Sequence, residues 1–112
     1  MKKIEAIVRR EALGAVKKAI EGVGYPGMTV VEVKGHGKQH GIIQQWRGRE
    51  HRVELLPKVK IEIVVLEEDL GKTLNAIVRS ARTGEVGDGK IFVSSVEDAI
   101  RFRTGEGGEN AI

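Results

Sequence analysis

No cysteine occurs among the 112 residues, and only four aromatic side chains do: Tyr25, Trp46, Phe92 and Phe102. The first absence excludes disulfides, thiolate nucleophiles and Cys-based zinc or iron–sulfur sites, and it fits a reducing compartment. The second leaves the core to be packed from Val, Ile, Leu and Ala. Long apolar runs are also missing. The stretch after Met1-Lys2-Lys3 is too short and too interrupted for a secretory leader, and no segment has the length to span a bilayer. A chain of 112 residues makes one domain with a modest core. The expectation is a single soluble domain, residues 1–112, working in the cytoplasm.

Glycine is abundant, at 15 residues, and one cluster of it precedes an apolar run: Thr83-Gly84-Glu85-Val86-Gly87-Asp88-Gly89-Lys90-Ile91-Phe92-Val93. Glycine lets the main chain approach a ligand closely and adopt φ > 0, so that its amides converge on an anion. Lys90 adds a point charge at the end of that cradle. Gly84-x-x-x-x-Gly89-Lys90 fits a Walker A box except at its end. Ile91 stands where a magnesium-binding Ser or Thr belongs, and the residues that follow read as a strand rather than a helix. The segment is a phosphate loop of another kind, entering a strand. Taken alone, the same residues also suit an ordinary glycine-rich turn.

Charge points the same way. The formal net charge is +3, and residues 36–60 hold six basic residues (Lys38, Arg47, Arg49, Arg52, Lys58, Lys60) against Glu50 and Glu54. A single basic loop suits a phosphorylated metabolite or one acidic partner surface better than a long phosphate backbone. A solvated basic face is the plainer alternative.

The chain repeats itself. Residues 3–20 recur at 60–77 with a constant offset of 57: Lys3-Ile4-Glu5 on Lys60-Ile61-Glu62, Val8 on Val65, Glu11 on Glu68, Leu13-Gly14 on Leu70-Gly71, Ala19-Ile20 on Ala76-Ile77. Such a repeat has to be recognised before the fold is read. Each copy opens on a strand, with apolar residues alternating at Ile4, Ala6, Val8 and at Val59, Ile61, Ile63, Val65. Each continues into a helix, striped by Leu13, Val16, Ile20, Val23 and by Leu70, Leu74, Ile77, Ala81. A second strand follows each helix, at 29–34 and 90–96. Two βαβ units in tandem give an α+β, ferredoxin-like βαββαβ sandwich with both helices on one face. Between the copies lie about twenty residues without clean periodicity, a length that marks a functional or mobile loop. Residues 100–103 alternate as a short strand that would put Arg101 and Arg103 on one face. A loose glycine-containing tail is expected to follow.

The candidate site is therefore cationic and glycine-lined. Gly35-His36-Gly37-Lys38-Gln39 repeats the logic of the later loop, and Lys58 stands at the other root of the same excursion. Nothing in the fold requires these two loops to be close within one chain, although an oligomer could unite them. With Arg101 and Arg103 added, a triphosphate would find ammonium and guanidinium partners. Rival chemistry is poorly supported. His36, His40 and His51 lack the Cys or nearby Asp that a zinc site would need. Ser80, Ser94 and Ser95 are remote from every histidine, and none is framed as a nucleophile elbow, so no enzyme is expected. The central strands carry no aromatics to stack bases, so no nucleic-acid partner is expected.

With those residues in view, the chain resembles the PII nitrogen-regulatory signal-transduction family over its whole length. The blocks that carry the resemblance are Met1-Lys2-Lys3-Ile4-Glu5-Ala6-Ile7, Gly27-Met28-Thr29-Val30, Glu32-Val33-Lys34-Gly35-x-Gly37, Leu56-Pro57-Lys58-Val59-Lys60-Ile61-Glu62-Ile63, Thr83-Gly84-x-x-Gly87-Asp88-Gly89-Lys90-Ile91-Phe92 and Arg101-x-Arg103-Thr104-Gly105-Glu106. The resemblance names the loops: the T-loop at about 36–56, the B-loop at about 83–90, and a C-terminal strand and loop at about 100–112. It implies a homotrimer with ATP or ADP in the clefts between subunits, and 2-oxoglutarate bound beside ATP through magnesium.

Carried over by residue, it implies phosphate contacts from Gly37, Lys38, Gly87, Gly89, Lys90, Arg101 and Arg103, with Asp88 in the same loop. Adenine and ribose contacts would come from Gly27, Met28, Thr29, Gly35, Glu62 and Val64. Gln39 would ligate magnesium and Lys58 would pair with a 2-oxoglutarate carboxylate. Trp46, Arg47 and Arg49 would contact the target protein, Arg47 matching an arginine that plugs ammonium-transporter channels. The membrane would be approached only through such a transporter. A PII-like regulator of another small ligand is the alternative. Two departures stand out: His51 replaces the tyrosine modified in many bacterial members, and Arg49 replaces a serine phosphorylated in others. Arg9-Arg10 replaces a basic residue followed by proline, without an evident consequence in the sequence.

Overall fold

The computed structural model describes residues 1–35, 43–46, 49–52 and 56–112. Its elements run β1 (Lys2–Arg9), α1 (Leu13–Val23), β2 (Thr29–Gly35), β3 (Ile43–Trp46), β4 (Arg49–Arg52), β5 (Leu56–Val65), α2 (Leu70–Ala81) and β6 (Lys90–Ser95). Four of the strands form an antiparallel sheet in the order β2-β5-β1-β6. This is the ferredoxin-like arrangement expected from two βαβ units.

Alternation in the sequence becomes alternation in burial. Ile4, Ala6 and Val8 of β1 and Val59, Ile61, Ile63 and Val65 of β5 point to the helix-covered face and are buried. Val16 and Ile20 of α1 and Ile77 of α2 meet them there. Burying one such side chain is worth about 1.5–3 kcal/mol, so this layer of aliphatic side chains is the main support of the fold, with Tyr25 packed against it. Thr73 is the polar exception inside: its hydroxyl donates to the Asp69 carbonyl at 2.7 Å.

The repeat survives in three dimensions. The offset of 57 carries the 3-10 turn Arg10–Ala12 onto Glu67–Asp69, and the start of α1 at Leu13 onto the start of α2 at Leu70. In the β1–β5 ladder Glu5 lies opposite Glu62, its own counterpart, so a local two-fold axis passes through that pair. Like charges directly opposite are unfavourable. Here they are bridged: Lys3 lies 3.1 Å from Glu5 and 3.5 Å from Glu62, and Lys60 lies 3.1 Å from Glu62. Hydrogen bonding to Lys60 holds the Glu62 carboxyl below its usual range, and Glu5 raises the Lys3 ammonium. The quartet sits on the face of the sheet away from the helices.

Two segments differ from their sequence patterns. Residues 100–103 do not form a strand. Ile100 makes one isolated bridge to Gly107, and the chain between turns back through Arg101 N–H to Glu106 O at 2.9 Å and Gly105 N–H to Arg101 O at 2.8 Å. Gly105 takes φ +73°, and Asp98 accepts from the Gly108 amide at 3.0 Å, so the segment satisfies its main chain locally. Period-two alternation alone cannot supply a strand partner. The expected loose tail instead continues into a 3-10 turn at Gly108–Ala111. The aperiodic stretch between the repeats contains a separate hairpin, with β3 and β4 paired from Ile43↔Arg52 to Trp46↔Arg49. Among the described residues no helix is long and apolar enough to cross a membrane.

Candidate functional site

The glycine-rich connection 83–90 is held from inside by one carboxylate. Asp88 Oδ2 accepts from the amides of Thr83 at 2.9 Å and Gly84 at 2.8 Å, while Oδ1 accepts from the Thr83 hydroxyl and from Arg9 Nε at 3.4 Å. Gly84, Gly87 and Gly89 have φ values of +85°, +100° and +103°, conformations that only glycine adopts without strain. Gly89 is constrained twice, because a Cβ there would lie 1.7 Å from the Ile7 carbonyl oxygen.

Two cations from the central strands take up the loop's carbonyls. Arg9 donates to Val86 O at 2.7 Å, and Lys58 donates to Gly87 O at 2.6 Å. Among the described residues the amides of Gly87 and Gly89 make no hydrogen bond. With these carbonyls engaged by cations, the loop's amides are candidate donors to an anion. Lys58 is only 7% exposed, and burial lowers its ammonium pKa, with the Arg9 charge adding in the same direction. Lys90 begins β6 and is exposed.

Hydrogen bonds from Thr83 and Gly84, with help from Arg9, hold the Asp88 carboxyl at about 2. A folded-state value below the unfolded one stabilises the fold fully above the unfolded pKa, and that stability drains away as pH falls toward the folded value. The thermal midpoint of the wild-type protein should therefore fall between about pH 4 and pH 2 more steeply than that of Asp88→Asn, the two curves converging at the acid end. A gap between them that is constant over that range would show that Asp88 does not organise the loop through its charge.

A second group gathers elsewhere. Gly27, Met28 and Thr29, with Glu62, Val64 and Arg101, line a cleft of about 590 Å³ on the sheet face away from the helices. Lys3 and Tyr25 complete its polar wall. Arg101 is steered by Glu106, 4.0 Å away. Arg103 is exposed within the turn and is not among the cleft's residues.

The expected site residues thus fall into two sets. Lys58, Gly87, Asp88, Gly89 and Lys90 are together, and Gly27, Met28, Thr29, Glu62, Val64 and Arg101 are together. Along β5, Glu62 is about 13 Å and Val64 about 20 Å from Lys58 at ~3.3 Å per residue, so the sets sit at opposite ends of one sheet. Gly35 closes β2 opposite Leu56, next to the Lys58 end. The Lys58–Gly87 bond answers one expectation directly: the root of the long excursion and the 83–90 loop do meet within one chain. Gly37, Lys38, Gln39 and Arg47 lie outside the described residues. Trp46 and Arg49 are placed by the backbone at facing hairpin positions.

Two residues of consequence escaped the sequence reading. Arg9 pins the loop; the available signal was its place as a basic residue at the end of β1, opposite Lys58. Tyr25 closes the turn before the second cleft, and only its rarity as an aromatic marked it. Arg10, the other half of the unexplained pair, reaches Glu32 on β2 at 3.3 Å.

Comparison with known proteins places the sequence in a family. The family described as nitrogen regulatory protein P-II matches residues 1–106. The chain is 58% identical over 112 residues to nitrogen regulatory protein P-II 1 of Methanothermobacter thermautotrophicus, covering all of this chain and 97% of that protein. It is 54% identical to P-II 2 of the same organism with the same coverage. Nitrogen regulatory protein P-II of Bradyrhizobium diazoefficiens is 54% identical over 112 residues, with both chains fully covered. With one family spanning nearly the whole sequence and close relatives aligned end to end, the chain belongs to the nitrogen regulatory protein P-II family.

Proposed function

We propose that this protein is a non-enzymatic cytoplasmic sensor. It binds ATP or ADP between the protomers of a homotrimer, reads 2-oxoglutarate beside ATP, and reports both to a target protein through the 36–56 loop. The observation that carries this reading is the division of the site. One end of the sheet offers an anion cradle with Lys58 and Lys90, and the other offers a half-apolar cleft with Arg101 and Glu62. Neither half alone suits a nucleotide; the phosphate half of one copy set against the cleft of another does. The family's description as nitrogen regulatory supplies the context in which a carbon-skeleton signal would be useful.

Magnesium fits the donors expected of it. Gln39 would hold the ion through its side-chain oxygen, a hard donor, with triphosphate and the 2-oxo acid as further oxygen sources. Among the described residues no three His, Asp or Glu side chains converge to hold a metal by themselves. The ion would therefore depend on the ligands, and ADP, lacking the γ-phosphate, would leave the ternary site incomplete. A change at the loop root then becomes a change in the surface shown to a target, such as an ammonium transporter or glutamine synthetase.

Calorimetry tests the reading. 2-Oxoglutarate should bind far more tightly in the presence of Mg-ATP than with ADP, and the coupling should be reciprocal, in the range of about 1–3 kcal/mol. Binding that ignores Mg-ATP would remove the proposed linkage, and light scattering that shows a monomer at assay concentrations would remove the shared site.

A further inference from the structure

Tyr25 stands where the repeat breaks its own symmetry. Under the offset of 57, Tyr25 corresponds to Arg82 and Asp69 to Ala12, so the contact between them has no counterpart in the other half. The Tyr25 ring packs against the core. Its hydroxyl donates to Asp69 Oδ2 at 2.5 Å and accepts from the Leu66 amide at 3.0 Å. Burial raises the Tyr25 hydroxyl pKa, and the same hydrogen bond lowers that of Asp69, so the proton stays on the tyrosine. Asp69 is in turn held by Lys72 Nζ at 2.9 Å.

The clamp fixes a short connection at its entry. Gly24 caps α1 at φ +110°, and the Tyr25 amide returns to Ile20 O at 3.3 Å. Pro26 limits both its own φ and the conformation of Tyr25. Gly27 and Met28 then lead to Thr29, which pairs with Glu62 in the sheet. Residues 26–28 are thereby strung between the tyrosine and the ladder, and they form one wall of the 590 Å³ cleft. A segment containing Gly27 would otherwise have to be ordered at the moment of binding, a cost that preorganisation removes.

We propose that the Tyr25–Asp69 hydrogen bond is a positioning clamp that presets the 26–28 wall of the cleft for the nucleobase, making Tyr25 a positioning residue for base selectivity. This rests on the nucleotide reading above. The test titrates wild-type protein and Tyr25→Phe with Mg-ATP and Mg-GTP, with thermal melting as a check on the fold. Tyr25→Phe keeps the ring and loses the hydroxyl. ATP affinity should fall about fivefold, the equivalent of one ordinary hydrogen bond, and the ATP-to-GTP preference should shrink by a similar factor. Asp69→Asn, which keeps an acceptor oxygen but no charge, should fall between the two, and it serves if Tyr25→Phe does not fold. Wild-type protein that binds no ATP overturns the nucleotide reading itself. ATP binding without preference over GTP, affinity unchanged within twofold in the variant, or equal losses for both nucleotides would each overturn the clamp while leaving that reading in place.

Discussion

Gly89→Ala should lower the thermal midpoint by roughly 10 °C and, on the function proposed above, abolish tight nucleotide binding, whereas Gly84→Ala, six residues from the end of the same loop, should do much less. Both positions have positive φ, +85° at Gly84 and +103° at Gly89. They differ in what an added methyl meets. At Gly84 nothing lies within 4 Å, so the cost is conformational strain alone. At Gly89 the methyl would sit 1.7 Å from the Ile7 carbonyl oxygen and 2.9 Å from its carbon, main-chain atoms that no rotamer change can clear. Either the β1–β6 pairing parts at Ile7↔Lys90 or the loop is displaced. Strain of about 1–3 kcal/mol and overpacking of about 1–3 kcal/mol add to roughly 3 kcal/mol. In a domain of this size that amounts to a midpoint drop of about 10 °C. Equal melting curves for the two variants would mean that the close approach at Gly89 is not a constraint on the folded protein.

Lys58→Met is the second large effect, and its sign differs between fold and ligand. Lys58 lies opposite Arg9 in the β1–β5 ladder, and both are cations on the same face. Its ammonium is desolvated and donates to Gly87 O at 2.6 Å. Methionine keeps an unbranched stem for packing and removes a charge that costs solvation and repels Arg9. The lost charge-assisted bond offsets that relief, so stability should change by no more than about 1 kcal/mol. On the function proposed above, the 2-oxoglutarate carboxylate, by contrast, loses its ion partner. About 1.5–3 kcal/mol of charged hydrogen bonding corresponds to a loss of roughly 10–100-fold in affinity, measured by calorimetry in saturating Mg-ATP. A variant that melts early yet keeps its 2-oxoglutarate affinity would assign Lys58 to structure rather than to the ligand.

The layers of this protein that were legible in its sequence are those written in short-range pattern. Alternation at Ile4, Ala6 and Val8 and its echo at Ile61, Ile63 and Val65 specified the central strands, and helical stripes specified α1 and α2. The 100–103 alternation failed because a strand needs a neighbour, and there the chain found its hydrogen bonds in itself through Asp98 and Gly105. The candidate site residues could be named one by one from the sequence, but their arrangement could not. Arg9 reaches Asp88 across 79 positions and Tyr25 reaches Asp69 across 44, distances over which no local period carries information. The split of the glycine-lined and cleft residues between two ends of the sheet likewise depends on strand order and not on spacing.

The axis through Glu5 and Glu62 has a consequence for assembly. It exchanges the connection between α1 and β2 with the connection between α2 and β6, so the two occupy equivalent places in the two halves while differing in sequence. A rotation that swaps them must also set them at opposite poles of the subunit. On the reading proposed above, one pole can be completed only by the unlike pole of another copy, which makes the contact head-to-tail rather than self-complementary. Heterologous contacts either close on themselves or run on as fibres. A ring is then the least polymer in which every receptor pole is filled and none is left over.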